Sequence, residues 1–287
     1  MDLCNINQIK GLLSRHGFRF SKSMGQNFLI DPTVPRHIAA VSGAGPGYGV
    51  LEIGPGIGPL TEQLAQLADQ VTAVELDQNL LPILQETMAD YPNVSIVPGD
   101  ILKLNLPQLV TDTFHGLTPI VCANLPYNIT TPVLTVLLES GQFASITVMI
   151  QREVAKRICA NPRTPDYGAF SLYCQYHAAC ELLFEVPPQA FLPAPKVTSA
   201  VIRLTPTTEP PVPVVDKQLF FRIVKASFAM RRKTLANGLA SGFNGQLTKA
   251  EVTSLLQSCG FPPNIRGEQL SLSDFAQLTQ AFNSALS

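Results

Sequence analysis

Between residues 51 and 64 the chain reads LEIGPGIGPLTEQL: an apolar run breaks on glycines at 54, 56 and 58, then resumes as a helical stretch. A strand that turns this sharply into a helix needs backbone angles that glycine adopts freely, and it leaves no Cβ at the turn to obstruct a ligand. The pattern continues. From about 50 to 205, short runs rich in β-branched residues alternate with helical stretches, the signature of a parallel sheet with crossover helices. Strands are expected at 50–53, 71–75, 94–98, 120–123, 146–150 and 197–204. Asp31-Pro32, Gly58-Pro59 and Thr131-Pro132 each place proline at a first helical position, where its missing N–H costs nothing.

The stretch TPTTEPPVPVVD, residues 205–216, holds four prolines and follows neither a helical nor a strand period, so it reads as a stiff linker. Domains are therefore expected at 1–205, an α/β unit with an N-terminal extension, and at 206–287, a small all-α unit. The second has helical patterns at 217–240, after a Thr248-x-x-Glu251 capping box, and at 273–286. A length of 287 residues, 46% of them apolar, suffices for two cores. No apolar run approaches the roughly 18 residues that cross a bilayer, and an acid at position 2 without a basic, apolar leader argues against a signal or transit peptide. Six cysteines without a CxxC pair read as reduced cytosolic thiols, and four histidines share no ligand spacing with them. A cytoplasmic protein without membrane or metal partners is expected.

Net charge is −1, but the average hides an asymmetry. Residues 1–36 carry five Lys/Arg against two acids and 203–240 carry seven against two, whereas 50–118 carry one lysine against nine acids. Such blocks either solvate different faces or serve ligands of opposite charge.

Acids recur where strands end. Glu75, in VELD, closes the second strand twenty-one residues beyond Gly54, a distance at which a carboxylate can accept both hydroxyls of a ribose. Asp77 beside it suits a helix start. Asp100, after the third strand, can accept from the amino group of an adenine while Ile53 and Ile101 offer apolar surface to the ring, although an aspartate after Pro-Gly is also a plain turn residue. The glycine loop alone is equally a tight turn. Pro59 stands where a dinucleotide fingerprint wants glycine, and Glu52 with G-x-G-x-G resembles instead the first motif of S-adenosylmethionine (SAM) methyltransferases.

The sharpest motif is ANLPYNI, residues 123–129, at the end of the fourth strand. The exocyclic amine of a base is a poor nucleophile because its lone pair is delocalised into the ring. Two acceptors aimed at its hydrogens draw that pair out of conjugation, and Asn124 Oδ1 with the Leu125 carbonyl would supply them. Pro126 fixes the backbone, and Tyr127 gives a π face for the base to stack on.

Together GQNFL (25–29), LEIGPGIGPLT, VELD, GDIL, NLPYNI, FLPAPKVTS (191–199) and SFAMRRKTLANGL (227–239) resemble the KsgA (RsmA) ribosomal RNA adenine dimethyltransferases, from about residue 15 to the C-terminus. The resemblance implies a Rossmann-like SAM-dependent methyltransferase domain carrying a small helical RNA-binding domain. It implies SAM contacts at Asn27, Leu29, Gly54, Gly56, Glu75, Asp100 and Asn124, and a catalytic loop of Asn124, Leu125, Pro126 and Tyr127. It further implies that Phe191 packs the target adenine opposite Tyr127. The reaction implied is transfer of four methyl groups, two to N6 of each of two adjacent adenines near the 3′ end of small-subunit rRNA, by a monomer acting on the pre-30S particle. Met230 stands where many members have glutamine.

The charge blocks then acquire a reading: the acidic half serves a sulfonium cofactor and the basic segments track phosphates. Arg222, Lys225, Arg231, Arg232 and Lys233, five cations with no acid within twelve residues, are the RNA-contact candidates. The alternatives are an Erm-type large-subunit rRNA methyltransferase, a protein-glutamine methyltransferase with a similar acceptor loop, and an assembly factor whose binding matters more than its catalysis. FLPAPKVTS and RRKTLANGL favour the KsgA small-subunit family over these alternatives.

Overall fold

The computed structural model describes residues 1–19 and 26–286. Gly25 of the GQNFL motif lies outside the described residues. Strands β1 (Phe28–Leu29), β2 (Tyr48–Ile53), β3 (Gln70–Glu75), β4 (Val94–Pro98), β5 (Thr118–Asn124), β6 (Ser145–Gln151), β7 (Ala178–Val186), β8 (Phe191–Leu192) and β9 (Ser199–Pro206) form two sheets. Seven make one sheet, in the order β4-β3-β2-β5-β6-β9-β7, and β1 pairs antiparallel with β8. Each neighbouring pair from β4 to β6 is parallel, and β9 then runs antiparallel to β6. The parallel expectation thus holds for five strands and fails at β9.

Helices α1 (Ile6–Arg15), α2 (Thr33–Val41), α3 (Pro59–Ala65), α4 (Leu81–Thr87), α5 (Leu106–Phe114) and α6 (Thr130–Ser140) precede or connect these strands. Strand β2 is buried after its first residue and β5 is buried over its middle, Ile120 to Ala123, as their apolar runs require. Leu60 and Leu64 of α3 and Ile38 of α2 share one core cluster with Val50, Val71 and Ile120 from the sheet. Pro59 is the first residue of α3, as expected, but Pro32 caps α2 and Pro132 is the third residue of α6. Any of these positions tolerates proline, because first-turn N–H groups have no partner within the helix.

The described residues fall into two compact units, Met1–Ala155 with Cys180–Pro206, and Lys156–Ala179 with Thr207–Ser287. The border after Pro206 lies one residue from the position read off the prolines. Residues 156–179, assigned from sequence to the first domain, instead belong to the second. The cause is apolar: Tyr167, Leu172 and Tyr176 are buried in one core with Phe220, Ile223, Leu239, Phe243, Phe275 and Phe282. Helices α7 (Arg152–Ile158), α8 (Ala169–His177), α9 (Lys217–Ala229), α10 (Leu235–Gly242), α11 (Lys249–Ser258) and α12 (Leu272–Leu286) complete the chain. At the start of α11, Thr248 Oγ1 accepts from the Glu251 N–H at 3.2 Å while Glu251 Oε2 accepts from the Thr248 N–H at 2.7 Å, the capping box expected.

The single helix expected over 217–240 is two, since Met230 leaves helical angles (φ −124°, ψ 67°) and a new helix starts after Thr234. Hydrophobic periodicity carries through the break because both helices bury the same kind of face. Their approach is close. A Cβ on Gly238 of α10 would lie 2.8 Å from the Ala226 carbonyl oxygen of α9. Alanine ordinarily favours a helix over glycine by about 1 kcal/mol, but a methyl against fixed backbone costs about 1–3 kcal/mol. Gly238→Ala is therefore expected to lower the urea midpoint without changing the m-value, whereas a raised midpoint would show that α9 and α10 do not approach this closely.

Candidate active site

Parallel strands deliver their carboxyl ends to one edge, and the loops after β2, β3, β4 and β5 line an open cleft there. Asn27, Leu29, Gly54, Gly56, Glu75, Asp100, Asn124, Leu125, Pro126 and Tyr127 all line it, so residues spread over a hundred positions converge on one cleft.

Gly54 and Gly56 sit at φ +67° and +64°. The Gly54 N–H donates to the Val74 carbonyl at 2.9 Å, which ties the loop to β3, and a Cβ on Gly54 would come within 3.7 Å of the Pro126 ring on the far wall. Glu75 is buried, and its Oε2 accepts from the Gly56 N–H at 3.2 Å while Oε1 accepts from the Asp77 N–H at 2.8 Å. Burial raises the Glu75 carboxyl above its ordinary range, opposed by these backbone donors. Each oxygen keeps a further lone pair for a ligand hydroxyl.

Asp100 is half-buried, and its Oδ1 accepts from the Leu102 N–H at 3.1 Å. The turn reading and the cleft reading are therefore both true of it. Asp77, expected only at a helix start, is buried, accepts from the Asn79 N–H at 3.0 Å and from Gln26 Nε2 at 2.7 Å, and lines the cleft together with Gln26. Nothing in the sequence pairs two residues 51 positions apart.

At the end of β5 the Leu125 N–H donates to the Met149 carbonyl of β6 at 3.1 Å, and the Leu125 side chain is buried. Its carbonyl accepts no hydrogen bond among the described residues, and neither does the Asn124 side-chain amide find a partner there. Two acceptors are thus left available at the cleft wall. Tyr127 is half-buried beside them, with its hydroxyl 2.6 Å from Ser199 Oγ.

Phe191 does not join the group. It is 3% exposed, stands opposite Leu29 in the β1–β8 pair, and packs in the core with Leu29, Ile38 and Val201. Strand alternation turns 191 inward and leaves the next residue half-exposed.

A family model described as ribosomal RNA adenine dimethylase matches residues 17–260. The chain belongs to that family. It is thus an rRNA methyltransferase of the SAM-dependent class. Curated relatives include a ribosomal RNA small subunit methyltransferase A of Shouchella clausii, 46% identical over 287 residues (99% of this chain, 97% of the relative), and one of Streptococcus sanguinis, 45% identical over 287 residues (99% of each). Among solved structures, the 23S rRNA methyltransferase ErmE is 26% identical with a TM-score of 0.68, covering 90% of this chain and all of that one. A dimethyladenosine transferase from Plasmodium falciparum, 22% identical with a TM-score of 0.75 over 90% of this chain and 98% of that one, shares the fold. The Rossmann-like architecture with added C-terminal helices is therefore that of the family.

The five candidate RNA-contact cations are all exposed but not equivalent. Arg231 donates to the carbonyls of Pro165 and Tyr167 and pairs with Glu268 at 3.6 Å, which ties the loop before α8 to the helical core. Arg222 stacks 4.0 Å from the Phe243 ring centroid and donates to the Gly242 carbonyl at 3.1 Å. Lys225, Arg232 and Lys233 have no partner among the described residues.

Glu52, noticed in the sequence only as an acid before the glycine loop, is 1% exposed, and its Oε2 has no hydrogen-bond partner among the described residues. Burial pushes its carboxyl up to about 8, with the Thr61 hydroxyl opposing and neighbouring Glu75 adding to the rise. In the unfolded chain the same group titrates near 4.5, so the folded state holds a proton that the unfolded state loses, and stability falls as pH rises from there toward 8. Glu52→Gln is expected to flatten that slope, raising the Tm of the ligand-free protein more at pH 8.5 than at pH 5. Parallel Tm profiles for the two proteins would contradict the burial of an unpaired carboxyl.

Proposed function

We propose that this cleft binds SAM beside an adenine of small-subunit rRNA, and that the chain dimethylates N6 of two adjacent adenines in the 3′-terminal hairpin of that RNA within the pre-30S particle. The observation that carries the reading is the pair of unpartnered acceptors, Asn124 and the Leu125 carbonyl, in a cleft that Glu75 and Asp100 also line. The near-full-length small-subunit relatives support the choice of RNA.

The residues fit a nucleoside with a positively charged tail. Glu75 would take the ribose hydroxyls and Asp100 the adenine amino group, while Gly54 and Gly56 keep side chains out of the ligand's path and Asn27 and Leu29 close the cleft beside them. Glu52, whose buried Oε2 has no partner among the described residues, lines the same cleft. When bound, the cofactor supplies a methyl carbon made electrophilic by a sulfonium. Asn124 Oδ1 and the Leu125 carbonyl hold the two amine hydrogens, and Tyr127 stacks the base. Transfer leaves the amine nitrogen cationic, and it releases one proton to water in the open cleft; one N–H then remains and one acceptor holds it, so the same pocket serves the second. Lys225, Arg232 and Lys233 would follow the phosphates, while Arg222 and Arg231 chiefly hold the helical unit together.

Incubation with tritiated SAM and unmethylated small or large subunits, followed by primer extension, tests the assignment. Label is expected at two adjacent adenines of small-subunit rRNA, and label confined to protein or to the large subunit would overturn it. Asn124→Ala is expected to lose about 10²–10³ in kcat while retaining subunit binding, the scale seen when one preorganised polar contact is removed from a reaction centre. Glu75→Ala should weaken SAM binding about 10- to 100-fold, as a hydrogen bond to a charged group is worth about 1.5–3 kcal/mol. Subunit affinity should fall with salt, and removal of Arg232 and Lys233 should make that dependence shallower.

A further inference from the structure

FLPAPKVTS ends at Ser199, and neither the cofactor cleft nor the acceptor pair accounts for a serine there. Ser199 is the first residue of β9 and is 0% exposed. Its backbone is fixed from β6: Ser199 stands opposite Gln151 in the antiparallel register, and the Arg152 N–H donates to the Thr198 carbonyl at 3.0 Å. From this place its hydroxyl reaches across 72 residues of sequence to the Tyr127 hydroxyl, 2.6 Å away. The other end of the loop is tied to β6 as well, through the Leu125 N–H on the Met149 carbonyl. Strand β6 thus sets both the acceptor carbonyl, through the main chain, and the far end of the tyrosine ring, through β9.

A half-buried tyrosine with its hydroxyl unbound would have room to swing about χ1. A ring tethered at both ends has none. We propose that Ser199 is a positioning residue for methyl transfer: its hydrogen bond to the Tyr127 hydroxyl sets the ring plane on which the target adenine stacks, and so holds the amine in register with Asn124 and Leu125. This rests on the reading of Tyr127 as the stacking face. Burial raises the Tyr127 hydroxyl above its usual range, so the bridge stays intact across the neutral pH range.

The test is a double-mutant cycle in the full chain with Ser199→Ala, Tyr127→Phe and the pair, assayed on unmethylated small subunits. A single neutral hydrogen bond predicts that each single variant lowers kcat about fivefold with KM for subunits and the Kd for SAM unchanged. The double variant should be no slower than either single, because both substitutions remove the same bond. A subunit carrying 2-aminopurine at the target position adds a spectroscopic reading: its fluorescence, quenched by the stacked ring in the wild type, should rise in Ser199→Ala and in Tyr127→Phe. Wild-type kcat and quenching in Ser199→Ala, or losses in the two single variants that multiply in the double, would overturn the proposal. A fall in Tm of Ser199→Ala with kcat unchanged would do so too, since it assigns the bond to stability alone. If wild type labels small subunits but Tyr127→Ala leaves the 2-aminopurine signal unmoved, the stacking reading falls and the proposal with it; if wild type leaves small subunits unlabelled, the substrate reading itself fails.

Discussion

Adjacent parallel strands all present their last residues at the same edge of a sheet, and in this chain the order β4-β3-β2-β5 lets four consecutive loops share that edge. Each loop contributes one kind of group: glycine backbone after β2, a carboxylate at the end of β3, another after β4, and two neutral acceptors at the end of β5. None of these groups needs a mobile element to reach the others. Main-chain bonds to the neighbouring strand hold two of the loops, from Gly54 to Val74 and from Leu125 to Met149, and backbone N–H groups hold the Glu75 and Asp100 carboxylates. That suits chemistry that depends on orienting a lone pair rather than on a strong base.

The same edge concentrates unfavourable charge. Glu52 and Glu75 are both buried, each raises the proton affinity of its surroundings, and only Glu75 is well supplied with donors. A fold optimised only for stability would replace Glu52 by an apolar residue. It stands in the cleft wall with one oxygen unpartnered among the described residues, at a cost to stability.

Much of the site was legible because it is local. A glycine turn, an acid at a strand end and NLPY each occupy a few consecutive residues, and the alternation of strands and helices sets their order. What escaped is long-range. The Gln26–Asp77 and Tyr127–Ser199 bonds link elements by tertiary packing that no spacing encodes. Strand β7 escaped because its residues alternate only weakly between exposure and burial, and β1 and β8 are two residues each. Arg222 and Arg231 looked like their neighbours in a run of cations, yet carbonyls distant in sequence occupy them. Phe191 was proposed by resemblance rather than by pattern, and its burial in a two-residue strand was not legible in the sequence.

The passage of residues 156–179 into the helical unit means that the chain crosses between units three times, after Ala155, after Ala179 and after Pro206. A terminal appendage would be severable, but an interlaced one is not. Cutting the chain at the proline-rich segment would strip the aromatic partners from Tyr167, Leu172 and Tyr176 and leave them facing water. Any exchange of the helical unit between relatives, whether by recombination in a genome or by grafting in a laboratory, must therefore transplant this inner segment along with the tail.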